Sequence, residues 1–360
     1  MAPLVSILKE RQGFDTRVCV TGQHRAMLDQ VLELFGIRPD FDLDIMQPGQ
    51  TLSSITAKII TKLEGVYDEF KPDIILVHGD TATTFAASLS GFYNQIVIGH
   101  VEAGLRTGDI MSPWPEEANR KLTSCLANFN FAPTNTARDN LLAEGVNPNS
   151  IFVTGNTVID ALFSVKEKID FQTDLRNGLE QKYVFAKATK PFILITGHRR
   201  ESFGEGFRQI CSAIRELSLS NPEFNFVYPV HLNPNVRTPV NLLLRDLDNV
   251  ILLEPLDYVP FVYLMSRSYL VLTDSGGIQE EAPSFGKPVL VMRENTERPE
   301  GVNGGTVKLV GTNKEKIVSE TLKLINNKEA YAKMASAINP YGDGNSCERI
   351  IKALEKEYGL

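Results

Sequence analysis

Thr273-Asp274-Ser275-Gly276-Gly277-Ile278-Gln279-Glu280-Glu281 follows the apolar run Tyr269-Leu270-Val271-Leu272, and together they read as strand, glycine turn and helix. At such a junction backbone N–H groups point outward and the helix dipole favours negative charge, so a diphosphate fits. Glu281 falls about one helical turn in, where a carboxylate can accept hydrogen bonds from two ribose hydroxyls. The same residues also suit a plain helix start capped by Ser275. A glycine pair alone does not choose between the two.

The flanking sequence repeats the strand–helix alternation throughout. Strands are predicted at 17–21, 74–78, 96–101, 130–133 and 151–154, then at 192–196, 225–230, 250–253, 269–273 and 288–292. These short Val/Ile/Leu-rich runs suit parallel strands buried on both faces. Helical patterns lie between them, among them 23–35, 52–70, 206–217 and 314–325. The alternation predicts an α/β chain of two doubly wound, Rossmann-like domains facing a cleft. The pattern turns polar near Lys166–Lys190, where the junction is expected. The domains are then 1–165 and 166–345, with the amphipathic helix at 346–360 able to join the first. Ligands of such folds bind at the carboxyl ends of the strands.

The chain has 360 residues, 42% hydrophobic and 22% charged, with a net charge of -7. That balance argues against bulk nucleic-acid binding. No apolar run approaches the roughly 20 residues of a membrane span, and Met1-Ala2-Pro3-Leu4-Val5 does not read as a secretory signal. A cytoplasmic protein is expected. The four cysteines, Cys19, Cys125, Cys211 and Cys347, show no CxxC spacing, so reduced thiols are expected.

Polar clusters follow several strands. Thr196-Gly197-His198-Arg199-Arg200-Glu201-Ser202 offers three potential cations, and His198 could donate a proton to a departing phosphate, although a lone histidine is more often structural and an arginine pair more often merely solvated. His78-Gly79-Asp80-Thr81 and His100-Val101-Glu102-Ala103-Gly104 follow two strands of the first half, and Pro115-Glu116-Glu117-Ala118-Asn119-Arg120 opens a helix. Asp80, Glu102 and Glu116 are expected to converge, and closely spaced carboxylates can divide acid and base roles. Each alone also suits N-capping or pairing with a helix dipole. The histidines show no HxxxH-type spacing, so no metal is expected.

The segments Val77–Asp80, Gly99–Arg106, Pro115–Arg120, Gly197–Glu201, His231-Leu232-Asn233-Pro234-Asn235 and Asp274–Glu281 resemble, in order, the signatures of the non-hydrolysing bacterial UDP-N-acetylglucosamine 2-epimerases. The resemblance runs through essentially the whole chain. It implies a fold similar to GT-B glycosyltransferases, a homodimer, and neither metal nor cofactor. It implies acid/base roles for Asp80, Glu102 and Glu116, with His198 and Arg199 at the phosphates. Ser275, Gly276 and Gly277 would hold the diphosphate, Glu281 the ribose, and Arg298 the phosphates or sugar. Leu256 and Phe261 match positions lining the uracil pocket. The family is also activated by its own substrate at a second site. Gln23, His24, Gln47 and Gln50 match positions lining that site, with Glu117 and Arg199 as further candidates.

The implied chemistry explains the residue types. The C2 hydrogen of the sugar is not alpha to a carbonyl, so a carboxylate cannot simply remove it. Loss of UDP from C1 makes it acidic, and a base then leaves a bound glycal. Return of UDP with protonation from the opposite face gives the manno epimer. Domain closure would keep water from the glycal. Rival readings are a glycosyltransferase, a hydrolysing epimerase and a non-catalytic UDP-sugar-binding protein.

In the family a strand precedes the helix that begins like Met1-Ala2-Pro3-Leu4-Val5, and its loop carries a Gly-Thr-Arg-Pro-Glu signature and a lysine. This sequence begins at the helix. The expectation is a fragment, poorly stable and nearly inactive, because a missing middle strand leaves two neighbours with unpaired backbone groups. Extension upstream would then restore both properties.

Overall fold

Helix Leu52–Phe70 shows how the local sequence sets the architecture. Thr51 accepts from the Ser54 backbone N–H while Ser54 returns a bond to the Thr51 backbone, a reciprocal capping box. Ile55, Ile59, Leu63 and Tyr67 follow at helical spacing and are all buried. They pack with Leu43, Ile45, Ala82 and Ala86 on one side of a parallel sheet. Each fully buried aliphatic side chain contributes roughly 1.5–3 kcal/mol. The helix ends at Lys71, which takes a left-handed conformation.

The structure is a computed structural model that describes residues 1–23 and 25–360. Two compact units are present, Met1–Ala161 with Gly342–Leu360, and Leu162–Tyr341. The division falls inside the helix Thr157–Phe171 and before Gly342. It therefore precedes the polar stretch Lys166–Lys190 in which the junction was expected. That stretch forms helices rather than a linker.

The first unit carries the parallel strands β1 (Cys19–Val20), β2 (Phe41–Asp42), β3 (Ile74–His78), β4 (Val97–Val101), β5 (Phe129–Ala132) and β6 (Ile151–Val153). They form two sheets, β1-β2 and β3-β4-β5-β6. Among the described residues β1 pairs only with β2, and β3 only with β4. The face away from Leu52–Phe70 is covered by helices Ala2–Glu10 and Ser346–Tyr358. Leu4, Leu8, Cys347, Ile350, Ile351 and Leu354 pack there against Val101, Phe129 and Phe131. Asp160 holds the start of the last helix by accepting from the backbone N–H groups of Ser346 and Cys347, at 3.2 and 2.9 Å.

The second unit has one parallel sheet of β7 (Phe192–Thr196), β8 (Asn225–Pro229), β9 (Val250–Leu253), β10 (Leu270–Thr273), β11 (Val289–Val291) and β12 (Val307–Leu309). Its order is β12-β11-β10-β7-β8-β9. The chain thus winds one way from β7 and the other way from β10, and the switch lies between these neighbours. Thr196 and Thr273 face each other at their carboxyl ends. Loops leaving a switch point diverge and leave a ligand crevice. β2 and β12 were not foreseen, since two or three residues carry no readable period.

Candidate active site

In the first unit the site grows from the turn after β3. Gly79 has φ +70°, and a Cβ there would lie 3.3 Å from Glu102 Oε2. Only glycine supplies both the conformation and the room. Glu102 itself sits at φ +66°, a position non-glycine residues rarely take. Its carboxylate accepts from Asn156 Nδ2 at 3.1 Å and lies 3.7 Å from His78 Nε2. His100 is fully buried, with Nε2 2.8 Å from the Gly79 carbonyl oxygen. Burial pushes its pKa down to about 4, so it is neutral at pH 7 and its Nε2–H donates to that carbonyl.

Helix Glu116–Leu126 supplies the rest. Asn119 donates to the Asp80 carbonyl at 2.9 Å, and Arg120 ion-pairs with the Asp80 carboxylate. Arg120 also donates to Glu117 at 2.9 Å. Glu117 is fully buried and accepts from the Thr107 and Gly108 backbone N–H groups as well. Glu116 Oε2 is buried without a hydrogen-bond partner among the described residues. Both acidic residues sit in the first turn, where the helix dipole favours them. Asp80 and Glu102 thus meet around Gly79, and Arg120 joins Asp80 to the helix that carries Glu116.

In the second unit the loops after β7 and β10 meet at Asp274. This fully buried carboxylate accepts from the backbone N–H groups of His198 and Arg199 at 2.7 and 2.8 Å. Ser275 opens the short helix Gly276–Glu281. A Cβ on Gly276 would come within 2.5 Å of Arg298 Nη1, so the guanidinium lies against the glycine turn, whereas Gly277 faces open space. Arg298 is paired with Glu280 and Glu297. Arg199 Nε is buried without a hydrogen-bond partner among the described residues, and its Nη2 lies 3.9 Å from Glu297.

Glu281 is 7% exposed and accepts from Tyr258 Oη at 2.6 Å. Burial pushes its carboxyl up to about 7, with Glu280 adding to the rise and the Tyr258 bond opposing it. Tyr258 starts helix Tyr258–Arg267, which carries Phe261, and Leu256 lies just before it. The Tyr258 hydroxyl therefore joins the expected ribose residue to the helix start beside the expected uracil residues.

The residues expected at an activator site divide. Gln47 N–H donates to Gln50 Oε1 at 2.7 Å, so these two sit together. Gln23 accepts from Thr83 Oγ1 at 2.9 Å instead. His24 lies outside the described residues. Glu117 has both oxygens occupied inside the protein, which is the geometry of a brace rather than of an open ligand site. Asp274, Arg120, Asn156 and Tyr258 were not singled out by sequence reasoning. Asp274 and Arg120 stood inside quoted motifs, but their partners lie far away in sequence. No group of three or more His, Cys, Asp or Glu is placed to hold a metal among the described residues. No described helix is long and apolar enough to cross a membrane.

Two Rossmann-like units, carboxylates after the strands of one and a glycine turn at the switch point of the other, define a GT-B-like enzyme class that handles nucleotide sugars. The profile of the UDP-N-acetylglucosamine 2-epimerase family matches residues 6–355, and the chain belongs to that family. It is 62% identical over 355 residues to the UDP-N-acetylglucosamine 2-epimerase of Yersinia pestis, covering 99% of this chain and 94% of that protein. The crystal structure of the Neisseria meningitidis UDP-GlcNAc 2-epimerase bound to UDP-GlcNAc is similar with a TM-score of 0.90 at 54% identity, covering 99% and 96% of the two chains. The Methanocaldococcus jannaschii enzyme in complex with UDP-GlcNAc and UDP is similar with a TM-score of 0.77 at 32% identity, over 99% and 95%.

Proposed function

We propose that this protein interconverts UDP-N-acetylglucosamine and UDP-N-acetylmannosamine by elimination and re-addition of UDP. The observation that carries this reading is the gathering of Asp80 and Glu102 around Gly79, with Glu116 on the helix that Arg120 ties to Asp80. A nucleotide-binding protein has no need of three carboxylates there. As the C1–O bond breaks, its electron pair leaves with the diphosphate. A carboxylate takes the C2 proton, and the C2–H electron pair becomes the C1=C2 bond of the glycal. A second carboxylate returns a proton to C2 from the opposite face while UDP re-adds at C1.

In the second unit, Ser275, Gly276, Gly277 and Arg298 take the diphosphate, His198 and Arg199 approach it from the loop after β7, and Glu281 takes the ribose. Leu256 and Phe261 take the uracil. The family resemblance extends the proposal to a cytoplasmic homodimer in which the substrate also activates, with Gln23, His24, Gln47 and Gln50 as activator ligands. Turnover in deuterium oxide tests the mechanism. Deuterium should enter C2 of both UDP-sugars. A manno product that quantitatively keeps its original C2 hydrogen excludes elimination, and free sugar as product points to a hydrolase.

A further inference from the structure

Asp274 has a second oxygen whose position calls for an explanation. While Oδ2 accepts the two backbone N–H groups, Oδ1 is buried and has no hydrogen-bond partner among the described residues. A buried carboxylate oxygen without a donor is costly. Oδ1 lies 3.6 Å from His198 Nδ1. The surroundings hold this pair in place. Tyr228 Oη donates to the Gly197 carbonyl at 2.9 Å, and the Thr196 and Thr273 hydroxyls bond to each other at 2.6 Å. The imidazole of His231 stacks on that of His198, with centroids 5.4 Å apart and planes 15° apart. The loop beneath His198 is thus held, and a small shift of the half-exposed ring closes its Nδ1 onto Asp274.

We infer that Asp274 is a positioning residue for His198, accepting its Nδ1–H so that Nε2 is presented to the departing diphosphate. The inference rests on the placement of His198 at the diphosphate proposed above. One carboxylate would then do two jobs. It holds the backbone of the phosphate loop and fixes one proton on Nδ1, because the hydrogen bond at one ring nitrogen sets which nitrogen of the neutral ring carries the proton, so the second, acidic proton is the one added at Nε2. In the diphosphate complex the ring takes a second proton on Nε2, and as the C1–O bond breaks this imidazolium passes the Nε2 proton to the diphosphate oxygen that receives the electron pair, leaving the neutral Nδ1–H ring. On return of UDP to C1 the same nitrogen takes that proton back. The other groups around His198 oppose its charged form. Burial has the largest effect, His231 and Arg199 add to it, and only Asp274 acts the other way.

Asp274→Asn tests this in the full chain. The amide oxygen can still accept both backbone N–H groups, so the loop is kept, but an NH2 then faces His198 Nδ1. Nitrogen-15 imidazole spectra, with and without UDP, read the tautomer, and His198→Gln assigns the signal. We expect a proton on Nδ1 in the UDP-free parent and on both nitrogens with UDP bound, whereas Asp274→Asn should hold a neutral ring protonated only at Nε2 in both states. Turnover should fall roughly a hundredfold with KM for UDP-N-acetylglucosamine within about threefold, and with an unchanged melting temperature. An unaltered tautomer in Asp274→Asn overturns the inference. So does unaltered turnover, or a loss of turnover accompanied by loss of UDP binding and of melting temperature. If His198→Gln itself turns over like the parent, the placement of His198 at the diphosphate fails, while the UDP-free spectra still report on the Asp274 contact.

Discussion

Tyr258 donates its hydroxyl to Glu281 at 2.6 Å, joining the first turn of one helix to the last residue of another across 23 positions of sequence. The carboxyl is buried, and its pKa is pushed up to about 7, against about 4.3 in an unfolded chain. A raised folded pKa favours the fold at low pH and loses that advantage as pH rises through about 7. Glu281→Gln should therefore leave stability nearly unchanged near pH 4 and raise it at pH 8 by up to roughly 3 kcal/mol. Urea titrations at the two pH values check this. Equal effects at both would show that burial does not control the group.

Arg120 is shared by Asp80 and the fully buried Glu117. Arg120→Met should cost about 3–5 kcal/mol, because it leaves Glu117 buried without its cation. Combining it with Glu117→Gln should recover most of that loss. A double-mutant cycle by denaturant unfolding measures the coupling, and additive costs would mean that the pair does not act as a unit.

Asp80→Asn and Glu102→Gln remove candidate acid and base groups while leaving the second unit intact. Turnover should fall roughly a hundredfold or more. UDP affinity, read by calorimetry, should stay near that of the parent. Lost affinity with normal turnover of the bound fraction would reassign both residues to binding.

Gly79→Ala places a methyl 3.3 Å from Glu102 Oε2 at a backbone φ of +70°. The left-handed conformation alone costs roughly 1–2 kcal/mol. The displaced carboxylate should lower kcat more than it raises KM. Steady-state kinetics with melting curves distinguish this from a simple loss of folded protein.

The alternating runs made the parallel sheets legible. β3, β7 and β9 begin and end where the apolar stretches do, and helix Leu52–Phe70 carries its cap and buried stripe openly in the sequence. The loop motifs likewise showed where polar residues would gather. What stayed hidden was each group's partner. Asp274 meets His198 across 76 residues, and Arg120 meets Asp80 across 40. Such pairings are set by which strands become neighbours, and no local period encodes that. The division at Leu162 was hidden for a related reason, since one continuous helix crosses it.

The separation of β1-β2 from β3–β6 has a dynamic consequence. A two-stranded piece is marginal by itself, and this one leans on Leu43 and Ile45 against helix Leu52–Phe70. Its amide protons should exchange with solvent sooner than those of β3–β6, as a locally opening segment of low free energy. Gln23 follows β1, and Gln47 and Gln50 follow β2. If the activator proposed above grips them, it would act chiefly by suppressing these openings, a gain of order rather than a change of shape.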